Sequence, residues 1–115
     1  QIKFIKKIID KNPDKEYLHF GDIDAGGFWI HKKLCEQTKC KFELINMNKQ
    51  ELENEKYKKC LKELTDSDIK RLGNLVNEID YSECIKYMLK NKVKLEQEII
   101  SYYIVTNRDE VGYKN

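Results

Sequence analysis

Residues 17–34 read YLHFGDIDAGGFWIHKKL, and this stretch decides the fold. Glu16-Tyr17-Leu18-His19-Phe20 is a short aromatic and apolar run closed by Gly21, a length and composition that suit a buried strand. An acid-x-acid triplet follows, Asp22-Ile23-Asp24, and then the glycine pair Gly26-Gly27. From Gly27 the apolar spacing becomes that of a helix: Phe28, Ile30 or His31, Leu34 and Cys35 share a face, and Thr38-Lys39 closes it. Lys41-Phe42-Glu43-Leu44-Ile45 then alternates as a second strand. Strand, glycine loop, helix, strand is a βαβ unit. About twenty residues between the strands suffice for a right-handed crossover, so parallel pairing is expected.

On the amino-terminal side, Ile2, Ile5, Ile8 and Ile9 recur at three- and four-residue spacing, which predicts a helix over Ile2 to Lys11 that stops before Asn12-Pro13. On the carboxyl side the character changes. Gln50 to Leu64 is a mixed-charge stretch with Leu52, Tyr57, Cys60, Leu61 and Leu64, read as one or two short solvated helices. Thr65 precedes Asp66-Ser67-Asp68, so its hydroxyl can cap a helix whose apolar face is Ile69, Leu72, Leu75 or Val76, and Ile79. Ser82 is the expected cap of a helix carrying Ile85, Met88 and Leu89, and Leu95, Ile99, Ile100 and Tyr103 mark a last one. The chain is therefore read as one unit: a βαβ portion with its preceding helix over 1–47, a helical portion over 48–105, and a polar tail over 106–115.

Composition limits the alternatives. The 115 residues are 37% charged and 40% hydrophobic, enough apolar material for one core under a heavily solvated surface. No run approaches the ~20 apolar residues that cross a bilayer, and the lysine-rich start is no secretory signal, so a cytoplasmic protein is expected. Basic and acidic residues number 22 and 20, too balanced for net charge alone to argue for nucleic acid. The four cysteines (Cys35, Cys40, Cys60, Cys84) form no CxxC pair, which disfavours zinc and fits free buried thiols in a reducing compartment. Abundant Lys, Ile and Asn fit an AT-rich bacterial genome, and a start at Gln1 without methionine suggests a piece of a longer chain.

The chemistry concentrates in the acid-x-acid loop. Loop residues at the carboxyl end of a strand in an α/β sheet face the crevice where ligands bind. Side chains two apart in extended backbone point the same way, so Asp22 and Asp24 can reach one hard cation such as Mg²⁺ or Mn²⁺. Such an ion removes their mutual repulsion and can polarise a phosphate oxygen or activate a water. Gly26 and Gly27 let the backbone turn and approach a ligand, and the helix offers its amino end to phosphate. Asp-x-Asp-x-Gly is equally the composition of a turn and helix cap, and the residues alone leave both readings open. The loop is neither an EF-hand nor a Walker or Gly-x-Gly-x-x-Gly phosphate loop.

Tyr17 through Leu34 resembles the Asp-x-Asp segment of Toprim domains, in the form found in type IIB topoisomerase A subunits. It is closer to the C-terminal domain family of the Wadjet anti-plasmid nuclease subunit JetD. Leu64-Thr65-Asp66-Ser67-Asp68-Ile69-Lys70-Arg71-Leu72 is similar to that family's helix opening, and Lys94-Leu95-Glu96-Gln97-Glu98 to its C-terminal element, so the resemblance spans nearly the whole chain. It implies a partial Toprim, Rossmann-like parallel sheet followed by a helical half, and a Mg²⁺-dependent DNA endonuclease as the parent protein. Asp22 and Asp24 match the metal-binding and catalytic aspartates. It also implies SMC-like partner subunits in defence against plasmids, a glutamate on an earlier strand upstream of this chain, and little activity for these residues alone. Glu16 is no substitute, since it starts the strand about 20 Å from Asp22.

Other side chains rank below the pair. Lys32 and Lys33, with Gly26 and Gly27, are candidate phosphate contacts, and Lys39 and Lys41 lie nearby, although a solvated helix face explains the lysines equally well. Glu96 and Glu98 are read as surface residues, His19 as a packed histidine, and His31 as either a core-edge residue or a phosphate contact. Phe28 and Trp29 are read as helix packing. A competing reading from a different class is a non-catalytic α/β interaction domain in which the aspartates only cap the turn. Two strands alone leave an open sheet edge, which predicts self-association, for example as a homodimer.

Overall fold

The computed structural model describes residues 2–102 and 104. Helix α1 (Ile2–Lys11) ends where Asn12 donates from Nδ2 to the Ile8 carbonyl at 2.8 Å, one residue before Pro13. Strand β1 (Tyr17–His19), helix α2 (Ala25–Thr38) and strand β2 (Phe42–Leu44) form the expected βαβ unit. The strands pair in parallel with Tyr17 opposite Phe42 and His19 opposite Leu44. Helix α2 begins at Ala25, two residues before the apolar periodicity shows it, and closes at Lys39 in the left-handed conformation (φ 55°).

The second half is mixed. Helix α3 (Lys49–Glu53) is capped by the Asn48 side chain and continues through a 3₁₀ segment (Glu55–Cys60) into strand β3 (Lys62–Glu63). Helices α4 (Asp66–Gly73) and α5 (Ser82–Asn91) follow, then strand β4 (Val93–Lys94), antiparallel to β3, and a helix α6 over residues 97–102. Tyr103 and the polar tail over 106–115 lie outside the described residues.

Ile23, Phe28, Leu72, Ile85, Met88, Leu95 and Ile100 are fully buried and form the centre of the core. Leu52 and Tyr57 join it, so the charged stretch after Gln50 is more than a wet surface. Four expectations are corrected here. The helix after Thr65 does not run to Ile79: it stops at Gly73-Asn74, where the Asn74 amide is shared between the Lys70 and Arg71 carbonyls, and Ile79 is 92% exposed. Ser82 is the first residue of α5 rather than its cap; Tyr81 holds the cap position, and the Ser82 amide donates to Glu78. Leu95 lies outside a helix and forms a two-way backbone pair with Ile23. Trp29 is half exposed, unlike Phe28 beside it.

Helix α1 packs against α2 but buries none of its residues fully, and Phe4 and Ile8 face outward. The cysteines are unpaired; Cys84 is buried and its thiol is pushed up to about 12 by that burial, while the other three are partly exposed.

The capping box of α4 is tied to strand β4. Thr65 Oγ1 accepts from the Asp68 amide, and Asp68 Oδ2 accepts both the Thr65 amide at 2.8 Å and Lys94 Nζ at 2.7 Å. The Lys94 ammonium and then the Thr65 amide hold the Asp68 carboxyl below the usual carboxylate range. A depressed pKa contributes stability that is complete above the unfolded value of about 3.9 and is lost as pH falls through the folded one. Asp68→Asn should lower stability at pH 7 by about 1.5–3 kcal/mol. Thermal melts from pH 7 to pH 2.5 should show its deficit against the parent chain shrinking below about pH 4.

Candidate functional site

The acid-x-acid loop is positioned by the residue between the acids. Ile23 is fully buried; its amide donates to the Leu95 carbonyl at 2.8 Å and its carbonyl accepts from the Leu95 amide at 3.2 Å. Side chains alternate along extended backbone, so pinning Ile23 into the core turns Asp22 and Asp24 together toward the opposite side. Both line one cavity of about 290 Å³ with His19, Gly21, Gly26, Gly27, Ile30 and Gln97.

Each aspartate has one oxygen engaged. Asp24 is the N-cap of α2, its Oδ1 accepting from the Gly27 amide at 2.7 Å. Asp22 does the same for α6, its Oδ1 accepting from the Gln97 amide at 2.6 Å across 75 positions of sequence. The second oxygen of each carboxylate receives no hydrogen bond from the described residues. Burial raises the Asp24 pKa; the Gly27 amide opposes this, and the neighbouring charge of Asp22 adds to it.

Oxygen donors of this kind fit a hard cation such as Mg²⁺ or Mn²⁺. Among the described residues no three His, Cys, Asp or Glu side chains converge as a metal cage. Asp22 and Asp24 would hold such an ion by their second oxygens.

The glycines serve sterics more than backbone freedom. Neither has a positive φ, and both sit in the first turn of α2. A Cβ on Gly27 would lie 2.0 Å from the Asp22 carbonyl oxygen, so no side chain fits there. The Gly27 amide is occupied by Asp24, and the space above Gly26 is shared by Asp24 Oδ1 and Arg71 Nη2. Lys32 pairs with Glu78 at 2.6 Å, and Lys33 lies 5.4 Å over the Trp29 ring centroid. Glu96 pairs with Lys62, and Glu98 is exposed; both stay on the surface as read.

The two histidines part company. His19 lines the cavity and its Nε2 is buried without a hydrogen-bond partner among the described residues. Burial lowers its pKa, and the nearby His31 adds to this. His31 is a core residue. Its Nε2 lies 2.6 Å from the Phe42 carbonyl, which can only accept, so that nitrogen carries the proton and Nδ1 accepts from the Tyr81 hydroxyl at 2.5 Å. Burial raises the Tyr81 pKa, consistent with a hydroxyl that keeps its proton to donate.

Sequence reasoning missed Arg71 and the Gln97 amide. Gln97 acts through its backbone, which no side-chain pattern reports, and Arg71 is one of several cations on an exposed face.

Residues 3–109 match the family model described as Wadjet protein JetD, C-terminal. The chain belongs to that family. No curated protein and no solved structure matches it. The three segments similar to the JetD C-terminal family are joined by hydrogen bonds: Gln97 of the Lys94–Gln97 segment donates to Asp22 in the acidic loop, and Lys94 donates to Asp68 of the Thr65–Asp68 cap.

Tyr81→Phe removes the only donor that His31 Nδ1 has among the described residues and leaves a buried acceptor unpaired. It should cost about 1–3 kcal/mol in urea unfolding, with the midpoint lowered and the denaturant slope unchanged.

Proposed function

We propose that this chain is the C-terminal part of a Toprim-type, Mg²⁺-dependent DNA nuclease acting in bacterial anti-plasmid defence with SMC-like partner subunits. The observation that carries the reading is the arrangement of Asp22 and Asp24. They flank a core residue at the exit of a parallel strand and line one cavity, and each keeps one oxygen that receives no hydrogen bond from the described residues. Family membership supports the defence role.

A divalent cation there supplies Lewis-acid polarisation of a phosphate oxygen and a more acidic bound water. The chain's own residues do the positioning. The Ile23–Leu95 pair fixes the aspartates, and the Gly27 and Gln97 amides orient each carboxylate by one oxygen. A further acidic ligand from upstream of this chain would complete the shell.

In the full-length protein with its partners, Asp22→Ala combined with Asp24→Ala should abolish plasmid cleavage while leaving the circular dichroism spectrum unchanged. Retained cleavage overturns the reading.

A second reading has a specific observation behind it, because each aspartate also caps a helix. Capping alone makes the chain a non-catalytic interaction domain. The two readings differ in the sign of one substitution. Asp24 has a raised folded pKa, so its contribution favours the fold below the unfolded value and turns unfavourable as pH rises through the folded one. Asparagine caps as well as aspartate and carries no charge. In EDTA at pH 7, Asp24→Asn should therefore melt at or above the parent temperature. With millimolar Mg²⁺ or Mn²⁺ the parent should rise and the variant should not. An equal response of both chains to the cation favours the capping role alone.

A further inference from the structure

A second cavity lies beside the acidic pair rather than on it. It encloses about 430 Å³ and is lined by Ala25, Trp29, Lys32, Arg71, Asn74 and Leu75, between the first turns of α2 and the carboxyl end of α4. Trp29 is 50% exposed, a large apolar surface left in water next to a cavity. Lys33, whose ammonium lies over the ring, lines the neighbouring groove against α1 and is absent from this cavity. The ring thus borders two hollows, and Lys33 lines only one of them.

Arg71 supplies the second element. Its Nη2 and Asp24 Oδ1 lie 3.6 and 3.4 Å from the point a Gly26 Cβ would occupy, so the guanidinium sits directly beside the acidic loop. Lys32 is engaged by Glu78, whereas Arg71 has no ion-pair partner among the described residues. A half-exposed indole and an uncommitted guanidinium lining one cavity match the two halves of a nucleotide, because bases stack on aromatic rings and phosphates take bidentate hydrogen bonds from arginine. Cavities of this size accept one such group. A base inside a duplex has both faces covered, so the fit is to an unpaired nucleotide.

We infer that Trp29 and Arg71 form a nucleotide platform. An unpaired DNA base stacks on Trp29, and its phosphate is held by Arg71 next to the Asp22–Asp24 pair. The platform rests on the nuclease reading for its purpose but needs no metal to bind.

Trp29 is the only tryptophan, so emission reports on it alone. In EDTA and low salt, an eight-nucleotide oligothymidylate should quench the emission at lower concentration than a blunt duplex or thymidine 5′-monophosphate. With the oligonucleotide labelled and anisotropy as the readout, Trp29→Leu should weaken binding about tenfold or more. Arg71→Gln should weaken it and flatten the plot of log K against log salt by about 0.7. Far-ultraviolet circular dichroism checks that both variants fold.

Absence of quenching, unchanged binding by Trp29→Leu, or an unchanged salt slope in Arg71→Gln each overturns the platform. Equal affinity for the monophosphate overturns its assignment to a DNA strand. If quenching survives while the cation response fails, the metal reading falls and the platform stands; the reverse outcome removes the platform alone.

Discussion

Two backbone hydrogen bonds between Ile23 and Leu95 carry the arrangement of this molecule. They join the loop after the first strand to a segment more than seventy positions later, outside either named sheet. Both residues are buried, so the pair is shielded from competing water and breaking it would strand four polar groups in the core. Once Ile23 faces inward, the aspartates on either side have one direction left. Once Leu95 is fixed, Gln97 falls where its amide meets Asp22, and α6 starts there.

The same segment settles the electrostatics. Lys94 precedes Leu95, and its ammonium bonds to Asp68 at 2.7 Å while its charge also lowers the Asp24 pKa. Asp22 and Asp68 act on Asp24 in the opposite sense. Three carboxylates therefore share this neighbourhood with a lysine already committed to one of them. On the other flank stands Arg71, across Gly26. Negative charge at the cavity is left under-compensated within the chain, which is the condition under which a bound cation gains most from Coulomb attraction.

Local signals carried the first half of the fold. The isoleucine spacing of α1, the aromatic run of β1 and the alternation of β2 each reflect one element's own burial pattern, and each element formed where its pattern lies. The second half failed where partners are distant. Strands β3 and β4 hold two residues apiece, too few to show a period, and Leu95 looks helical only because Ile99 and Ile100 follow at the right spacing. Ile79 fits an apolar face but lies beyond Gly73-Asn74, where propensity ends the helix before the pattern does. The acidic pair itself was legible because strand-to-helix placement fixes where such residues point. Its surroundings were not, since the Gln97 amide and Arg71 arrive by tertiary packing.

Trp29 shows why an aromatic on a helix cannot be assigned from spacing alone. Phe28 and Trp29 are adjacent, so on a helix they point about 100° apart, and only one of them can lie at the centre of a single buried face. Phe28 takes the core, stacking 4.9 Å from the Tyr81 ring, and Trp29 is thereby turned toward the rim. Ala25, one turn earlier, is buried and lines the same cavity as Trp29, leaving room that a larger side chain would fill. The hollow beside the acidic loop thus follows from the packing of its neighbour: the residue that completes the core is the one that exposes the indole next to Arg71.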